Sequence, residues 1–108
     1  MVTGEHESTV FNAVFLQEVS GIVKMLGHSD RIRIVEFLES GEKSVGEVQR
    51  HTGLSQPVTS QLLRQMKDRK IVSCRRDGNR MFYSIASPLI LKMLNCLIES
   101  QKIMYSEE

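Results

Sequence analysis

Seven polar side chains crowd one short run of the chain: Ser55, Gln56, Thr59, Ser60, Gln61, Arg64 and Lys67. All are short or forked hydrogen-bonding groups, and no acid interrupts them. At the start of a helix such groups meet the edges of bases and the oxygens of phosphates. Ser55 is suited to cap that helix, and Pro57 falls in its first turn, where a missing N–H does least harm. Val58, Leu62, Leu63 and Met66 recur at helical spacing and are expected to face inward. That leaves Gln56, Thr59, Ser60, Gln61, Arg64 and Lys67 for the outer face.

The elements on either side position this helix. Ser44 and Glu47 form an S-x-x-E capping pair that opens an earlier short helix, with Val45 and Val48 on one face. Gly53 then supplies a residue free to take positive φ between the two helices. Residues 44–70 therefore read as a helix-turn-helix, with an ordinary helical hairpin and a solvated polar face as the plainer alternative. After it the period changes to two. Ile71 to Arg76 and Arg80 to Ile85 flank Asp77-Gly78-Asn79, a hairpin signal over residues 71–85. Met81, Tyr83 and Ile85 share one face of the second strand. Arg75, Arg76, Asn79 and Arg80 gather at the tip. A basic hairpin directly after such a helix is a wing, whose arginines are suited to a minor groove or to phosphates.

Helices are also expected before and after this unit. From Thr9 to Leu26 apolar residues recur at Phe11, Phe15, Val19, Ile22 and Leu26, with Val10, Val14 and Val23 beside them. That stripe is wide enough for two surfaces. A break at Gly27-His28-Ser29 precedes a helix with Ile32, Val35 and Leu38 inward, ending near Ser40-Gly41. The last helix, residues 87–105, opens at Ser87-Pro88. Its Leu, Ile and Met side chains, Leu94 and Leu97 among them, cover most of its circumference. A second subunit is the economical cover for such a surface.

Residues 1–108 are expected to form a single domain, long enough for one core and small enough that dimerisation aids stability. The net charge of +1 hides a strong segregation. Residues 1–44 hold four Lys/Arg against seven Asp/Glu, residues 45–85 hold eight against three, and residues 86–108 two against three. Positive charge thus coincides with the helix-turn-helix and wing, the footprint of a DNA-binding face. No run is apolar enough to span a bilayer, and MVTGEHEST has no signal-peptide character. Two cysteines without regular spacing suit a reducing cytoplasm. No nucleophile, base and orienter, and no phosphate loop, can be assembled, so no enzyme and no cofactor are expected.

LGHSDRIRIVEFL, SVGEVQRHTGLSQPVTSQLLRQMKDRKIV and SCRRDGNRMFYSI together resemble the ArsR/SmtB family of winged helix-turn-helix repressors. The resemblance runs from about Leu26 to Ile85. It implies a mainly α fold with a small β-hairpin wing, in the order α-α-α-α-β-β-α, dimerising through the first and last helices (residues 9–26 and 87–105). It also implies that each recognition helix enters a major groove of double-stranded operator DNA, and that an inducer, here unknown, releases the repressor.

The family's sensor residues do not carry over. Where metal-sensing members place a Cys-x-Cys pair, this chain has Ser44-Val45-Gly46-Glu47-Val48. Where others place Asp and His ligands on the last helix, residues 86–108 contain neither. His6, His28 and His51 are scattered, and read as solvated or capping side chains rather than as a site offering several ligands to zinc. The thiols remain as sensor candidates. Cys96 matches, by element, one cysteine of a sulfur- and redox-sensing branch. The expected partner between Arg31 and Ser40 is missing, and Cys74 lies in the wing instead. A winged helix that binds a protein rather than DNA is the other open reading, and the charge segregation favours DNA.

Overall fold

The computed structural model describes residues 10–106. His6 and the expected helix start at Thr9 lie outside them. Five helices and a three-stranded sheet follow in order: α1 (Ala13–Met25), α2 (Ser29–Leu38), β1 (Lys43–Ser44), α3 (Val45–Thr52), α4 (Gln56–Asp68), β2 (Val72–Asp77), β3 (Arg80–Ile85) and α5 (Pro88–Met104).

Each helix start has a local cause. Asn12 caps α1, its side chain accepting from the N–H groups of Val14 (2.8 Å) and Phe15 (3.2 Å). This cap sets the helix start after Phe11, so Val10 and Phe11 precede α1 rather than belong to it. His28 caps α2, its Nδ1 accepting from the Asp30 N–H at 3.2 Å. At α3 the capping box is complete: Glu47 N–H donates to Ser44 Oγ (3.1 Å), and Ser44 N–H donates to Glu47 Oε1 (2.8 Å). Gly53 ends α3 at φ 76°, a conformation that favours glycine. Ser55 caps α4 through Val58 N–H at 3.4 Å, with Pro57 in the first turn as expected.

The sheet holds one strand more than the expected hairpin. The order is β1-β3-β2, with Lys43 opposite Tyr83 and Ser44 opposite Phe82. A two-residue strand is too short to leave an alternating pattern in the sequence. In the hairpin Asp77 pairs with Arg80, so the connection is the two-residue Gly78-Asn79, with Gly78 at φ 67°. Asp77, expected in the turn, ends β2 instead.

Ile34 and Val35 of α2, Val48 of α3, Leu63 and Met66 of α4, Ile71 and Val72, and Ile90 of α5 are all essentially excluded from solvent. They converge where α2, α3 and α4 pack over β2 and β3, and burial on this scale holds the helix-turn-helix rigidly against its wing. Met81 and Ile85 pack against this core beside buried Tyr83, so the three share one face of β3 as expected, and that face turns inward. The outer helices are different. Only Met25 of α1 is buried, and only Ile90 and Leu94 of α5. Leu94 belongs to the protomer's own core, contrary to its expected place at the outer surface.

One expectation fails inside α4. Val58 is 41% exposed, whereas Thr59 is fully buried and Leu63 and Met66 complete the inward stripe. Thr59 sits four residues before Leu63 and seven before Met66, on one helix face. Its hydroxyl donates to the Ser55 carbonyl at 2.8 Å, so the polar atom is satisfied where it is buried. Thr59 is therefore a core residue, and it is withdrawn from the outward set.

Candidate nucleic-acid interface

The outer face of α4 opens onto a groove whose far wall is the hairpin. The groove encloses about 600 Å³ between Ser44, Val45, Gly46 and Arg50 on one side, Gln56, Ser60, Arg64 and Lys67 along α4, and Asn79, Arg80, Met81 and Tyr83 on the wing. Four cations line it, and among the described residues no carboxylate does. The amide Nε2 of Gln56 donates to Ser60 Oγ at 2.8 Å, which fixes two adjacent polar groups on the first turns of the helix. Gln61 is exposed beside them, as is Ser55 at the cap.

Of the residues expected at this face, Gln56, Ser60, Arg64, Lys67, Asn79 and Arg80 are brought together in one groove. Arg75 is turned to another task. Its guanidinium grips Glu42 with two bonds, Nε to Oε2 at 2.9 Å and Nη2 to Oε1 at 2.8 Å, and lies 4.9 Å from the Phe82 ring centroid. Arg80 approaches the same ring at 5.2 Å. The hydrogen bonds and charge of Arg75 hold the Glu42 carboxyl below its ordinary 4.5, and Glu42 in turn raises Arg75. Arg75 thus fastens the wing to the segment before β1. Arg76 is exposed next to the tip and donates to the Gly78 carbonyl at 3.2 Å.

Arg50 was not singled out from the sequence, although it lines the groove. Val45, Val48 and Thr52 set the inward face of α3, which leaves Gly46 and Arg50 together on the opposite side, one turn apart. The Arg50 guanidinium lies 3.5 Å from where a Gly46 side chain would begin, an ordinary contact distance that sets the two residues side by side on the groove wall.

Cys74 is half-buried on β2, opposite Tyr83, and Cys96 is exposed on α5. Burial first, and the adjacent Cys74 thiol second, push the Tyr83 phenol above 10.0, while Arg64 pulls it down. Among the described residues no three His, Cys, Asp or Glu side chains are grouped to hold a metal ion. His28 serves as a cap, and His51 stacks on Phe37 with ring centroids 4.0 Å apart. No described helix is long and apolar enough to cross a membrane.

This arrangement, a helix-turn-helix with a cationic groove closed by a wing, is that of winged helix-turn-helix regulators. The chain belongs to the arsR family of bacterial regulatory proteins, whose model matches residues 28–73. It is 44% identical over 72 residues to an uncharacterised HTH-type transcriptional regulator of Mycobacterium tuberculosis, covering 66% of this chain and 63% of that one. It is 35% identical over 80 residues to the biofilm growth-associated repressor of Xylella fastidiosa, covering 74% of this chain and 70% of the repressor. The crystal structure of M. tuberculosis Rv0081 superposes with a TM-score of 0.75 at 34% identity, covering 89% of this chain and 96% of that one. The family is one of transcriptional regulators, not of enzymes.

Proposed function

We propose that this chain is a homodimeric transcriptional repressor that binds double-stranded operator DNA through α4 and the wing. The observation that carries this reading is the groove with Arg50, Arg64, Lys67 and Arg80 on its walls, running beside the outward Gln56, Ser60 and Gln61. Cations without acids suit a phosphate backbone, and amides and hydroxyls on the first turns suit base edges. The repressor of X. fastidiosa supports the direction of control.

Two such helices related by a twofold axis reach successive major grooves, so half-sites lie about 10 bp apart. Selection from random duplexes followed by anisotropy titration tests the reading. An enriched palindrome is expected, with Gln61→Ala losing sequence preference. Lys67→Ala should weaken binding evenly and flatten the salt slope by about one unit. Failure to enrich any duplex would overturn the function.

The inducer follows from no site at the groove. Thiol chemistry is the sensing mode the chain's own residues support, through exposed Cys96 or half-buried Cys74. Hydrogen peroxide would convert a thiol to a sulfenic acid, releasing water. Cys96→Ser or Cys74→Ser should then abolish a peroxide-dependent loss of DNA binding and leave the reduced affinity intact. An unchanged response in the double variant removes both from the sensor.

A further inference from the structure

We propose that Val58 is a specificity-determining residue that reads the 5-methyl group of a pyrimidine, thymine in the operator, in the major groove. The inference rests on the DNA-binding function just argued and deepens it to one base feature.

Val58 is the third residue of α4, and its side chain is 41% exposed. Every other exposed large apolar side chain among the described residues lies on α1, on α5 or immediately beside one of them. Those belong to the two outer helices, whose exposed apolar side chains suit a second subunit. Val58 stands apart from them, on the first turn of the second helix of the helix-turn-helix, the end that approaches base edges. Packing does not require it there. The inward place that an apolar residue would normally fill is taken by Thr59, whose hydroxyl is satisfied by the Ser55 carbonyl at 2.8 Å.

The neighbours sharpen the assignment. Gln61, three residues on and exposed, is the neighbour of Val58 on its side of the helix, whereas Gln56 and Ser60, two residues to either side and tied to each other by a 2.8 Å hydrogen bond, lie on the other side. An apolar side chain beside such an amide offers no hydrogen bond of its own. The major groove presents one apolar feature, the methyl at C5 of thymine, and an aliphatic side chain is its complement. The Gln61 amide would supply hydrogen bonds to a neighbouring base edge while Val58 covers the methyl.

The test removes the methyl alone. In an operator obtained by selection, each thymine is replaced in turn by uracil, which keeps its pairing and its O4 acceptor. Anisotropy then measures wild type, Val58→Ala and the near-isosteric Val58→Thr. At one position per half-site, uracil should weaken the wild type about fourfold, the worth of one buried methyl group. That penalty should vanish in Val58→Ala and shrink in Val58→Thr, with all three proteins nearly equal on the uracil duplex. Placing 5-methylcytosine at the half-site cytosines separates the two sources of the methyl. A Val58-dependent gain there would overturn the assignment to thymine. If both variants keep the full uracil penalty, or the wild type has none, Val58 does not read a methyl. If no duplex is selected at all, the function itself falls, and the two failures are distinct.

Discussion

Thr59 and Val58 divide the roles that their order in the sequence conceals. Both are β-branched and nearly the same shape, so helical spacing alone ranks them by polarity and turns the valine inward. The observed helix does the reverse, because a hydroxyl can donate to the carbonyl four residues back without leaving the core. The Ser55 carbonyl already accepts the Thr59 N–H at 2.9 Å, so it keeps a partner when the hydroxyl is removed. Thr59→Val should therefore change stability by no more than about 1 kcal/mol, of either sign. Urea unfolding measures this, and operator affinity should hold as well. A large loss of affinity with stability intact would return Thr59 to the DNA face. At the wing, Glu42 tests a second interaction between side chains 33 residues apart. Its carboxyl is held below 4.5 by Arg75, so the contribution of the pair is present above the ordinary value and is lost as pH falls through the lowered one. An NMR titration of Glu42 should give a midpoint below 4.5 that returns towards it in Arg75→Ala. Nothing in the sequence pairs these two residues. Arg75 reads as one more cation of the tip, and only the strand register turns it towards Glu42.

The elements were legible where local chemistry decides them. The Ser44/Glu47 box, Gly53 in the left-handed region and the Ser55 cap with Pro57 are all short-range devices, and each lies where its residues suggest. What escaped depends on distant partners. Strand β1 has two residues and exists only because β3 lies beside it. The end of α4 is the clearest element with a stored cost. Lys70 is the only described non-glycine residue at positive φ, 62°. Its N–H donates to the Lys67 carbonyl at 2.9 Å, and the Ile71 N–H donates to the Met66 carbonyl at 2.9 Å, which is a Schellman ending. Buried Met66 and Ile71 hold the turn in place although the residue at its left-handed position, Lys70, is not glycine. Lys70→Gly should relieve the left-handed strain and lose some of the gain to the entropy of a freer unfolded chain. A net stabilisation of about 0.5–1 kcal/mol is expected, read as a rise in Tm. Lys70→Ala, which removes the charge and keeps the strain, should leave Tm nearly unchanged. Equal effects from the two variants would mean that charge rather than backbone geometry matters there.

At the scale of the whole molecule the question is what covers α1 and α5. Val14, Phe15, Leu16 and Val23 on one helix, and Leu91, Leu97, Ile98, Ile103 and Met104 on the other, are all more than a third exposed in the protomer. A surface of that kind is larger than scattered single side chains and marks an interaction site. The second copy implied by the family fits it, since an isologous contact presents the same patch from both subunits. The choice of probe follows from burial. Leu94, 4% exposed, is held by its own protomer, and a charge there would unfold the chain and say nothing about assembly. Leu97, 44% exposed, can accept a carboxylate in the free protomer with little disturbance. In a dimer, Leu97→Glu would bury two unpaired charges, costing on the order of 3–5 kcal/mol. Sedimentation velocity at micromolar concentration should give a dimer for the wild type and a monomer for Leu97→Glu, with helical circular dichroism retained. Operator affinity should fall with it, because each α4 would then engage a half-site alone and the gain from linked sites would be lost. A wild-type monomer, or a Leu97→Glu dimer of undiminished affinity, would remove α5 from the interface and the half-site spacing that rests on it.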